Sequence, residues 1–148
     1  MHALTKFLHL AAAVLWLGGI GFMLLALRPA AAQQLQPPAR LPLLAAAMGR
    51  FFVIVWVCIA MLLLTGGAML ASVGMKAAPA GWHWMMGLGL LMCGLFAHLY
   101  FAPFRRLRQA VARADWPEGG RRAQQIAWLA RLNFILGWLA IAAVMLLK

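Results

Sequence analysis

Carboxylates are almost missing from this chain of 148 residues: Asp115 and Glu118 are the only two, and both fall in one basic stretch. Harder cations that want an oxygen-rich site therefore have little to bind. Also missing are a phosphate loop, a nucleophile triad and a CxxC pair, which argues against a nucleotide-driven pump, a kinase or a protease. Cysteine is scarce, and Cys58 and Cys93 both lie inside apolar stretches, so they say little about redox compartment. At similar depth on neighbouring helices they could bind Cu(I) or oxidise, but small buried filler is the ordinary use of free cysteine.

Charge as a whole is thin, at 10% of residues, whereas 66% are hydrophobic. Mean hydropathy is +0.90. A soluble domain averages roughly 45–50% apolar and about 25% charged residues, so the surplus apolar surface must face lipid. Four stretches reach the roughly 20 residues that a helix needs to cross the hydrocarbon core. They run about 4–27, 50–71, 82–102 and 126–147, with a basic loop at 103–125. Breakers separate them: Arg28-Pro29, Pro37-Pro38 and Pro42; then Gly74, Pro79 and Gly81; then Pro103, Pro117 and Gly119-Gly120. The expectation is an all-α fold, a single membrane domain over 1–148 built as a four-helix bundle. The first stretch is too long for a signal peptide and carries Lys6 and His9, so it reads as a membrane helix.

Arginine sets the expected orientation. The first and third connections, with their helix ends, hold ten arginines, while Lys6, Lys76 and Lys148 fall on the opposite side. Positive residues mark the cytoplasm, which puts both termini outside it in a bacterial-type inner membrane. The net charge of +11 then reflects topology and contact with anionic headgroups; it does not point to nucleic acid. Phe104, Leu107, Val111 and Ala114 recur at helical steps, which suits a basic interfacial helix or a continuation of helix three past Pro103. Trp82 and Trp84 at one end, with Trp116 and Trp128 at the other, suit an interfacial aromatic belt.

Polar side chains inside hydrocarbon are costly and usually have a partner or a task. Here they are Lys6, His9, Thr65, His83, His98, Arg131 and Asn133. His9 and His83 lie towards the outer side, with His2 just beyond. His98, fifteen residues after His83, is about 22 Å further along the same helix and cannot share one metal ion with it. Met1, Met69, Met75, Met85, Met86 and Met145 also gather near the outer ends. Thioether and imidazole together suit copper, Cu(I) above all, although methionine in a membrane helix is more often packing. Gly18, Gly19 and Gly21 are expected to bring helix one into the centre of the bundle, so that bulk at Gly18 costs more than bulk at Gly94. Small residues equally make room for a flat cofactor.

Phe7-Leu8-His9-Leu10, then Trp16-Leu17-Gly18-Gly19 with Phe22 and Arg28-Pro29, resembles the opening helix of the copper resistance D (CopD) family. Arg50-Phe51-Phe52 and Thr65-Gly66-Gly67 continue the likeness into helix two. The chain is also similar to the HemJ type of protoporphyrinogen oxidase, matching its Lys-x-x-His with Lys6 and His9, its late helix-three histidine with His98 and its Asn with Asn133. It departs from that type where Met85 or Met86 replaces a lysine and Phe134 an acidic residue, which weighs against porphyrinogen oxidation and not against haem binding. The CopD resemblance implies copper uptake or tolerance, with His9, His83, Met85 and Met86 as metal ligands. The second resemblance implies haem b bound by His9 with His83 or His98. Expected partners are the lipid bilayer, a second copy of the chain, and a periplasmic copper carrier or a quinone.

Overall fold

The computed structural model describes residues 2–147, and the side chain of His2 lies outside that description, as do Met1 and Lys148. Among the described residues every regular element is helical. Four rods follow one another: α1 (Ala3–Gln34), α2 (Pro37–Val73), α3 (Ala80–Ala112) and α4 (Trp116–Leu146). At ~1.5 Å per residue they are roughly 46 to 56 Å long, well beyond the ~30 Å of a hydrocarbon core. Only 17% of the most apolar window of α1, α2 or α3 is buried, and 22% of that of α4. The exposed remainder is made of residues such as Phe7, Val14, Leu25, Val57, Leu64, Leu90, Phe101, Ile135 and Leu139, a surface suited to lipid and not to water.

The rods extend further at the arginine-rich end than the apolar stretches do. Residues 28–34 and 37–49 continue α1 and α2 as helix, leaving Leu35 and Gln36 as the connection. The stretch 103–125, a basic loop in which a continuation of helix three past Pro103 was one reading, is helical on both sides of a short turn at Arg113, Ala114 and Asp115. Proline fails as a breaker for a local reason. A proline lacks the N–H that an α-helix needs and crowds the carbonyl four residues back. On α1 the turn Met23–Leu27 widens to a π-helix just before Pro29, and on α3 the turn Tyr100–Phe104 does so around Pro103. The wider turn accommodates the ring and lets the rod continue. Asp115 caps α4 by accepting from the Glu118 N–H at 3.1 Å, and Glu118 in turn binds Arg121 and Arg122 at 2.9 and 2.6 Å. Both carboxylates of the chain are thus used at the start of α4.

Two antiparallel hairpins, α1 with α2 and α3 with α4, make up the bundle, and α4 also touches α1 and α2. α2 meets α3 mainly towards the arginine-rich end. There Phe52 packs edge-on against Phe96 and Phe104 with centroids 5.3 and 4.8 Å apart, and Trp16 of α1 meets Phe96 at 6.1 Å. Edge-to-face contact of this kind fixes helix positions where lipid offers no competing hydrophobic drive.

The glycines sort differently from expectation. A Cβ at Gly18 or Gly94 would meet no atom within 4 Å, so Gly18 faces outwards and carries no close helix approach. The intimate contacts are at Gly19, filled by the Phe51 ring, at Gly137, filled by Leu17, and at Gly81, which lies on the Ala143 and Leu147 carbonyls of α4. Of the three glycines expected to bring helix one inward, Gly19 and Gly21 meet Phe51 and Phe134, and Gly18, about 100° round the helix from Gly19, does not.

Candidate functional site

His9 and Thr65 are 56 positions apart, yet the α1–α2 pairing sets His9 Nδ1 at 2.8 Å from Thr65 Oγ1. The direction of that bond follows from the other bond Thr65 makes. Its hydroxyl lies 2.6 Å from the Met61 carbonyl one turn back, a geometry in which the hydroxyl proton is donated to the carbonyl. With its one proton so used, Oγ1 can only accept, and His9 Nδ1 is the N–H that donates. A neutral ring then carries its lone pair on Nε2, the atom that a metal would take. Gly66 completes the setting: a Cβ there would sit 3.3 Å from His9 Cε1, so glycine leaves the ring its place. His9 is half-buried and Thr65 is buried.

Met61 and Met69 stand four residues before and after Thr65, on one stripe of α2, and both are half-buried. They offer thioethers on the same helix face as the residue that holds His9. Gly66 and Met61 were not singled out for this role in the sequence; the Thr-Gly-Gly run opposite a membrane histidine was the signal that could have found them.

The remaining sequence-predicted ligands fall elsewhere. His83 is exposed at the start of α3, with Nε2 at 3.1 Å from the Met75 carbonyl and Nδ1 at 3.3 Å from that of Pro79, so its ring serves the 74–79 turn. Met85 is half-buried and Met86 exposed one turn further. His98 is exposed on α3, facing away from the core. Asn133 is buried, donates to the Met92 carbonyl at 3.3 Å and leaves Oδ1 unpartnered. Among the described residues no three His, Cys, Asp or Glu side chains converge as a metal cluster.

A haem does not fit these residues. The notches at Gly19, Gly21 and Gly137 are occupied by Phe51, Phe134 and Leu17, while a Cβ at Gly67, Gly87, Gly89 or Gly94 would meet no atom within 4 Å, so none of these is a cleft between close helices. The central cavity, between Trp16, Phe52, Phe96 and Asn133, has a volume of about 30 Å³, room for little more than a water molecule. Residues 45–147 match the family model described as Copper resistance protein D, a match that covers α3, α4, most of α2 and Thr65 but begins after His9. No curated protein and no solved structure matches the chain.

Proposed function

The chain belongs to the copper resistance protein D family, and on that premise we propose that it binds Cu(I) within the membrane at His9 Nε2, as a step in copper uptake or tolerance. The observation that carries this reading is the hydrogen-bond chain from His9 through Thr65 to Met61, which presents Nε2 as a free donor. Imidazole with thioether is a donor set that favours Cu(I) over harder ions, and no carboxylate lies near these spans to favour anything else. Met61 and Met69 supply the thioethers. The termini end of the bundle faces the periplasm on this reading, so copper arrives from a carrier on that side, and the arginine-rich end faces the cytoplasm.

Thr65 acts as a positioning residue: it fixes the ring tautomer and raises the donor strength of Nε2, as outer partners of metal-bound histidines do. His83 keeps its place in the 74–79 turn and stays outside the copper site. Cu(I) titration of the purified protein against a chromophoric chelator tests the assignment. His9→Ala is expected to abolish binding with the bundle intact, and His83→Ala to leave it unchanged. Full copper occupancy in His9→Ala would overturn the site. A Soret band with a pyridine haemochrome in the purified wild type would replace copper by haem.

A further inference from the structure

At the arginine-rich end, three guanidinium groups from three different helices face one cavity with no carboxylate among its lining residues. Arg28 of α1, Arg40 of α2 and Arg131 of α4 line a space of about 330 Å³, together with Gln124 and Gly120 of α4 and Leu41 of α2. Arg40 and Arg131 lie close enough to Arg28 to repel it. Arg28 is held at 3.2 Å from Gln124 Oε1, a neutral partner that positions the guanidinium without cancelling its charge. The chain's two carboxylates are engaged elsewhere, Glu118 with Arg121 and Arg122 and Asp115 at the α4 cap.

Positive-inside topology accounts for arginines at this end, but not for their arrangement. Arginines serving only to orient the chain gain by pointing apart into water or towards separate headgroups. Three that line one concave space repel one another unless something negative sits between them. The planar guanidinium fork matches phosphoryl oxygens better than a point charge does. Leu24, Leu41 and Leu44 line the same space beside the three arginines.

We propose that this cavity binds a phosphoryl oxyanion, from either the headgroup of an anionic phospholipid or free phosphate. The site is independent of the copper reading, since it lies at the opposite end of the rods from His9 and Thr65. Bound anion offsets part of the repulsion among the three arginines and ties α1, α2 and α4 together.

The test is thermal unfolding of the delipidated protein in neutral detergent, with phosphatidylglycerol mixed micelles, phosphatidylcholine mixed micelles and inorganic phosphate as separate probes. Phosphatidylglycerol or phosphate is expected to raise the midpoint, and phosphatidylcholine to leave it unchanged. A rise with phosphatidylglycerol alone identifies a lipid headgroup, and a rise with phosphate as well identifies a free anion. Arg40→Gln is expected to weaken the effective binding about tenfold while leaving the anion-free midpoint level or higher, because one repelling charge is gone. Gly120→Leu is expected to block the space without changing charge, since Gly120 lines it and a Cβ there meets no protein atom within 4 Å. It too should abolish the rise. Arg108→Gln, on the exposed tail of α3, should retain it. No rise with either anion, a rise that survives both Arg40→Gln and Gly120→Leu, or an equal loss in Arg108→Gln overturns the proposal.

Discussion

The imidazole edge of His9 lies directly over Gly66, with the position a Cβ would take 3.3 Å from Cε1 and 3.8 Å from Nδ1. The first distance is tighter than most side-chain contacts, so an added methyl pushes on the ring edge that carries the bond to Thr65. Gly66→Ala is expected to weaken Cu(I) binding while leaving the bundle folded, and Gly66→Val to do so more strongly. Chelator competition with circular dichroism as the folding control reads both. Unchanged affinity in Gly66→Val would separate the ring from the metal.

Thr65 offers a finer test, because its hydroxyl and its shape can be removed one at a time. Thr65→Val keeps the volume and loses the acceptor for His9 Nδ1. Loss of such an outer partner typically costs about 10–100-fold in metal affinity, and that range is expected here. Thr65→Ser restores the hydroxyl and should recover most of the affinity. Equal affinities for Val and Ser at this position would mean that the Thr65 bond is packing only.

Packing itself is tested at two glycines with opposite surroundings. Gly81→Ala drives a methyl into the Ala143 and Leu147 carbonyls, which are backbone and cannot swing aside. A cost of about 1–3 kcal/mol is expected, as for other overpacked contacts. Gly18→Ala meets open space and should be neutral or slightly stabilising, since alanine favours helix over glycine. Thermal unfolding in detergent ranks the two, and a Gly18→Ala variant as damaged as Gly81→Ala would contradict the outward placement of Gly18.

Orientation is open to direct measurement. Fusion of a reporter active only in the cytoplasm to either terminus is expected to stay silent, and the same reporter inserted at the Leu35-Gln36 connection should be active. Strong signal from a terminal fusion would invert the bundle and move His9 to the cytoplasmic side.

The four spans were legible because apolar length alone determines them, and His9 stood out as a candidate because an imidazole in hydrocarbon contrasts with its surroundings. What joins His9 to Thr65 was not legible, since the contact depends on which faces of α1 and α2 meet and on their relative height. A one-residue error in that judgement is a rotation of about 100°, which is why Gly18, grouped with Gly19 and Gly21, turns out to face away from the contacts those two make. Pro29 and Pro42 misled for a different reason, and Pro103 belongs with them except that a helix continuing past it was one of the two readings of its flanking pattern. Each normally ends a helix in water, whereas here a π-turn absorbs Pro29 and Pro103 and the chain continues as helix past Pro42. Arg28, Arg40 and Arg131 were counted for topology, and their convergence from three helices is a tertiary fact that no local pattern encodes.

Because both connections at the arginine-rich end are so short, the segment most inviting to a trypsin-like protease in sequence is among the least accessible to one in shape. Such enzymes need several residues in extended conformation, and here Arg105, Arg106, Arg108, Arg121 and Arg122 are all wound into helix. Only Arg113, in the turn before Asp115, stands where the chain leaves helical geometry. A bundle end this rich in basic residues thereby offers a single natural nick site between its third and fourth rods, at a point where cutting would leave each hairpin partner still anchored in the bilayer.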